Sequence, residues 1–139
     1  MAYDPENLFA KILRGELPAH KVYEDGDIFA FMDVFPQSQG HTLVIPKTQA
    51  ENIFDLEPEW LARLTTGTQK VAKAVRDALN PDGMLITQFN GAAAGQSVMH
   101  IHFHIIPRWQ ATPLSRHGNS SGADHEELAA LAKQIAAKL

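Results

Sequence analysis

The chain predicts an α+β fold: a mostly antiparallel sheet with a long helix over about 58–79 and a C-terminal helix over about 124–138. Three observations predict it. Strand-like runs follow one another directly instead of alternating with helices. Residues 58–79 carry an apolar side chain at every third or fourth position, the period of a helix with one buried face. Turn signals, Asp25-Gly26-Asp27 and Asn80-Pro81-Asp82-Gly83, punctuate these runs.

In order along the chain, residues 6–14 place Leu8, Phe9, Ile12 and Leu13 at helical spacing, and Gly15 stops them. Lys21 to Glu24 and Ile28 to Val34 read as two strands of a hairpin joined by the Asp-Gly-Asp turn. After the break at Pro36 to Gly40, residues 41–45 read as a third strand ended by Pro46. The long helix begins with Pro58, which suits a first turn, and its apolar face is Leu61, Leu64, Thr68, Val71, Val75 and Leu79. Met84 to Phe89 reads as a strand and Asn90 to Ser97 as a loop of small residues. Val98 to Ile106 reads as a strand ended by Pro107. Residues 110–123 are polar and read as a mobile loop. The last helix starts near Asp124, with Glu127 spaced for a capping box and Leu128, Leu131, Ile135 and Leu139 on its apolar face.

Composition sets the class. The 139 residues make one domain, 1–139, with 45% apolar and 20% charged residues, which suits a soluble globular chain rather than a disordered one. A net charge of −4 argues against nucleic acid as a partner, since such proteins carry a basic face. No apolar run approaches the roughly 18 residues of a membrane span. The polar, acidic start Met1-Ala2-Tyr3-Asp4 does not read as a signal peptide, so a cytoplasmic protein is expected. There is no cysteine, which excludes disulfides, thiolate metal sites and cysteine nucleophiles.

Seven histidines are many for this length, and three sit within five residues: His100, His102 and His104. On an extended strand they project from one face about 7 Å apart, given a rise of about 3.3 Å per residue, while Ile101, Phe103 and Ile105 face the core. Three readings follow. The histidines form a hydrogen-bonded polar patch; or they ligate a metal, although no acidic residue between Gly83 and Asp124 supports such a site locally; or one imidazole is a nucleophile toward phosphorus. The loop from Asn90 to Ser97 offers backbone N–H groups and a hydroxyl to an anion.

The run HIHFHII matches His-φ-His-φ-His-φ-φ, and the chain resembles the histidine triad (HIT) superfamily through it. The resemblance extends through FAKILRGELPAHKVYEDGDIFAFMDVFPQSQGHTLVIPK and NGAAAGQSVMHIHFHIIPRW, roughly residues 6–109. It implies a HIT-like α+β fold and a homodimer. It also implies a nucleotide hydrolase that cleaves a purine nucleotide conjugate at the α-phosphate through a nucleotidyl-histidine. The conjugate is either an adenosine phosphoramidate or a dinucleoside polyphosphate; the alternative is a nucleotide-binding scaffold without turnover. By resemblance His102 is the nucleophile, His104 contacts the α-phosphate, and His100 orients the central ring with His41 behind it. Ser97, Gly95 and Gln96 hold phosphate oxygens and the leaving group. Asp33 binds the ribose hydroxyls, Val34, Leu8, Phe9 and Phe31 wall the base, and Asn90 lies near the ribose. No cofactor is implied. Some bacterial members hold a structural zinc through Cys-x-x-Cys, a further His and the first triad histidine. Here Asn7, Ala10 and Gln49 stand at the matching positions, so no metal is expected. The homodimer finds support in an apparent excess of apolar surface on helix 58–79, namely Trp60, Leu61, Leu64, Val71, Val75 and Leu79.

Overall fold

A computed structural model describes residues 2–113 and 123–139; most of the predicted 110–123 loop lies outside the described residues. The order is α1 (Leu8–Leu13), β1 (Lys21–Glu24), β2 (Ile28–Met32), β3 (Thr42–Pro46), α2 (Pro58–Leu79), β4 (Gly83–Thr87), β5 (Phe103–Arg108) and α3 (His125–Ala136), with a 3-10 turn at Ala92–Ala94. The strands form one five-stranded sheet in the order β1-β2-β3-β5-β4, antiparallel at every pairing. This is the α+β arrangement the strand runs predict.

The sheet is covered on both faces. Ile28, Ala30 and Met32 of β2, Val44 of β3 and Ile105 of β5 pack with Leu64, Val71 and Val75 of α2 and Leu128, Leu131 and Ile135 of α3. Phe29 and Phe31 of β2 and Leu43 and Ile45 of β3 pack under α1 with Phe9. Every residue of β2 and β3 is therefore buried, which is why both run apolar instead of alternating.

The helix ends follow their side chains. Asn7 caps α1 by accepting the Ala10 N–H at 2.9 Å, and Asp124 caps α3 by accepting from Glu126 at 3.1 Å. Asn80 takes the left-handed conformation that ends α2, φ 49°. Gly67 sits inside α2 because a Cβ there would strike the Ile28 side chain; the helix approaches β2 too closely for one.

Three sequence expectations need correcting. Residues 98–102 are not strand. The Ile101 N–H is drawn to the Ala50 carbonyl at 2.9 Å, and the β3 ladder begins only at Val44 opposite Phe103. Nor does Pro107 end β5. Pairing with β3 stops at Thr42 opposite Ile105, so beyond that point one side of β5 is open and a residue without an N–H is tolerated. The apolar face of α2 is also not in excess. Leu64, Val71 and Val75 are fully buried within the same chain, and Trp60, Leu61 and Leu79 pack against that core. Exposed apolar side chains sit elsewhere, among them Leu85 and Ile86 of the edge strand β4, Leu8, Val34, Phe35 and Phe54.

Candidate active site

The α1 face of the sheet holds a cavity of about 440 Å3. Leu8, Phe9, Phe31, Asp33, Val34, Ser97, His102 and His104 all line it, as do Ile12, Leu17, Pro18, Ala19, Phe35, Leu43 and Val98. Its walls are mostly apolar, and the polar side chains among its lining are Asp33, Ser97, His102 and His104. Among the candidate residues, His100, His41, Asn90, Gly95 and Gln96 do not line it.

His102 lies one residue before β5, and its ring centroid is 4.9 Å from that of His104. Phe9 packs edge-on against it, with centroids 4.8 Å apart at 85°. His102 Nδ1 lies 2.7 Å from the backbone carbonyl of His100. A carbonyl only accepts, so Nδ1 carries the proton and Nε2 keeps its lone pair. The orienting group is thus the His100 main chain, not its ring.

A second chain of bonds sets the other two imidazoles. The Gln37 N–H donates to His41 Nδ1 at 3.0 Å. That lone pair being used, a neutral His41 holds its proton on Nε2, which lies 3.0 Å from His104 Nδ1. His104 Nδ1 therefore accepts, and its own proton stands on Nε2. Asp33 Oδ2 lies 3.4 Å from the same His41 nitrogen, and Asp33 Oδ1 accepts the Phe35 N–H at 2.8 Å. The expectation that His41 backs His100 is corrected here: it backs His104. The cross-strand neighbour of His104 is Leu43, two positions beyond His41, so His41 reaches the third histidine and not the first.

Asp33, His41 and His104 bring three ligand atoms within 4.8 Å of one another. The donor set does not fit a metal ion. A metal at His41 Nε2 would compete with the proton that the Gln37 N–H at Nδ1 forces onto that nitrogen, and ligation would require an imidazolate. The three residues fit a hydrogen-bond relay.

His100 is buried and points away from the cavity. Its Nε2 donates to the Pro46 carbonyl at 3.0 Å, and its Nδ1 lies 2.5 Å from the Tyr3 hydroxyl. Burial pushes its pKa down to about 4, so the ring stays neutral near pH 7. The zinc site of some relatives does not fit this chain. Both His100 nitrogens have protein partners, Asn7 Oδ1 caps α1, and Ala10 offers no ligand atom.

Asn90 and Gln96 work inside the loop. Asn90 Oδ1 accepts from the Ile53 N–H at 2.9 Å and from Gln88. Gln96 accepts the Gly91 N–H at 2.8 Å and donates to the carbonyls of Glu51 at 2.6 Å and Val98 at 3.0 Å. Gly95 takes φ +106°, which only glycine adopts easily. These residues shape the turn that brings Ser97 to the cavity. Sequence reasoning missed Tyr3 and the Leu17–Ala19 wall. The Leu17-Pro18 pair after Gly15 was a signal for an extended apolar segment; the contact of Tyr3 with a residue 97 positions away had none.

The fold and the paired imidazoles beside an apolar cavity define a protein of HIT type, and comparison agrees on the family. The HIT domain family model matches residues 14–111, and the chain belongs to that family. It is 45% identical to Protein hit of Bacillus subtilis over 73% of this chain and 70% of that protein. It is 35% identical to the adenosine 5'-monophosphoramidase hnt1 of Schizosaccharomyces pombe over 95% of this chain and 97% of that one. The crystal structure of a Hit-like protein from Bartonella henselae superposes with a TM-score of 0.92 at 46% identity, covering 100% of both chains. Among the described residues no helix is long and apolar enough to cross a membrane.

Proposed function

We propose that the protein is a hydrolase that cleaves a purine nucleotide conjugate at its α-phosphate through a nucleotidyl-histidine intermediate. The observation that carries this is the His102 ring at the cavity, with Nδ1 tied to the His100 carbonyl at 2.7 Å and its lone pair therefore on Nε2. In the first step Nε2 bonds to the α-phosphorus as the bond to the leaving amine or nucleotide breaks. In the second, water attacks phosphorus, the P–N bond to His102 breaks, and the nucleoside monophosphate is released. In this reading the His104 Nε2–H donates to a phosphate oxygen, where charge builds up. Ser97, which lines the cavity, supplies a hydroxyl to the same group, and the apolar walls accept the base. The named activity of the yeast relative makes an adenosine phosphoramidate the first conjugate to try, ahead of a dinucleoside polyphosphate. Nucleotide pools are cytoplasmic, and the same reading puts the protein there.

Asp33 is the ribose ligand in this reading, since two acceptor oxygens suit a vicinal diol. Asp33→Asn is expected to weaken binding of ribonucleotides far more than of 2′-deoxy analogues. A charge-assisted bond is at stake, about 1.5–3 kcal/mol. Calorimetric titration with both ligand types checks it, and equal losses would remove Asp33 from the role.

We propose further that two copies pair through β4. Support comes from its position at the sheet edge and from Leu85 and Ile86, which are 38% and 44% exposed. Beside them lies a shallow hollow of about 270 Å3 lined by Thr65, Thr68, Gln69, Ala72, Ile86 and Phe103. Edge-to-edge pairing about a two-fold axis would cover an otherwise open strand. Light scattering is expected to give twice the 15.3 kDa of one chain; a single-chain mass at micromolar concentration would refute it.

A further inference from the structure

The segment before α1 lies against the first histidine of the triad, and it is built to stay there. Arg14 donates to the Pro5 carbonyl at 2.6 Å and to Glu6 at 3.0 Å, and Asn7 donates to the Asp4 carbonyl at 2.7 Å. The arm so fixed brings the Tyr3 ring edge-on to His100, with centroids 5.6 Å apart at 71°.

His100 has two nitrogens and two partners of defined polarity. The Pro46 carbonyl can only accept, so Nε2 holds the proton, and Nδ1 must accept from the Tyr3 hydroxyl. That hydroxyl is half-buried, and burial raises its pKa, which keeps its proton available for donation. Without it, a buried lone pair at Nδ1 would lack a donor, a loss the site does not tolerate cheaply. The His100 ring is thereby pinned at one edge by the end of β3 and at the other by the arm. Its own carbonyl is the acceptor at 2.7 Å that sets the tautomer of His102, in a stretch with no β ladder to hold it.

We propose that Tyr3 is a positioning residue: its hydroxyl, donated to His100 Nδ1, holds the backbone of residues 100–102 so that the His100 carbonyl keeps His102 oriented toward the cavity. This rests on the reading of His102 as nucleophile. Tyr3 does not line the cavity, so its effect falls on orientation and not on nucleotide binding. It also occupies the His100 nitrogen that a metal would need.

The test is Tyr3→Phe, which removes one oxygen and keeps the ring, beside Arg14→Ala, which loosens the same arm and leaves the hydroxyl. Tyr3→Phe is expected to lower kcat on an adenosine phosphoramidate about three- to tenfold, the range of one hydrogen bond, with KM unchanged. Nitrogen-15 spectra of the imidazoles are expected to show His102 moving away from a single Nδ1–H tautomer. Arg14→Ala is expected to lower Tm while leaving kcat and the His102 resonances in place. Unchanged His102 resonances in Tyr3→Phe would overturn the proposal. So would an equal loss of kcat in Arg14→Ala, because packing of the arm would then suffice. The spectra need no substrate. A wild type that turns over no nucleotide conjugate would refute the proposed function, while the tautomer comparison would still decide the role of Tyr3.

Discussion

His102→Ala is expected to abolish turnover of an adenosine phosphoramidate, by a factor on the order of 10⁴ or more, as for other nucleophiles of covalent enzymes. Binding of the nucleotide product should barely change. The reason for the split is spatial. The cavity walls from Leu8 to Val98 and the Asp33 carboxylate are other side chains, and alanine at 102 removes none of them. What it removes is, among the described residues, the one cavity-lining imidazole whose Nδ1 is bonded to a backbone carbonyl, and hence whose lone pair is on Nε2. His104 cannot stand in for it, because its acceptor nitrogen is spent on His41. Rapid quench should trap a nucleotidyl adduct on the wild type and none on the variant. His100→Ala is the control. It keeps the orienting carbonyl and should be milder. Near-normal turnover in His102→Ala, or an adduct mapped to His100 or His104, would refute the mechanism and leave the fold standing.

His104→Ala is expected to lower kcat by about 10²–10³, the loss typical of one donor aimed at developing charge. The relay makes this more than the loss of a generic cation. The Gln37 N–H, His41 and His104 are joined end to end at 3.0 Å per link, and each bond dictates the proton position in the next ring. For neutral rings the outcome is a His104 whose donor stands on Nε2. The loss should fall on kcat far more than on KM, because charge on the phosphate oxygens grows toward the transition state. Steady-state kinetics checks it, and a loss under threefold would remove His104 from phosphate contact.

The relay also shows where sequence reading stopped. The period-two spacing of 100, 102 and 104 places three imidazoles on one side of an extended chain, which holds for His102 and His104. It fails for His100, because the backbone before Phe103 is pulled toward Ala50 and leaves the ladder. The pairing of His41 with His104 instead of His100 is a matter of register. Register depends on where β3 and β5 first meet, and local pattern does not encode that. Asp33 was legible as the acid at the end of an apolar strand, but its 3.4 Å approach to His41 was not. Gln96 and Asn90 were legible as loop residues of a phosphate-binding stretch. The structure assigns their side chains to holding that loop together.

Local spacing and composition were enough for the fold class: helices near 6–14, 58–79 and 124–138, five strands, and a histidine cluster beside a glycine-bearing loop. Those features depend on residues close in sequence, where periodicity, caps and turn chemistry act directly. The tertiary structure alone decided which imidazole keeps a lone pair toward the cavity, which one carries a donor, and that the arm at Tyr3 secures the first of the three. Each depends on a single hydrogen bond between residues 4 to 97 positions apart or on a backbone carbonyl's direction. Proton positions follow from partners, and the partners are brought together only when the sheet closes.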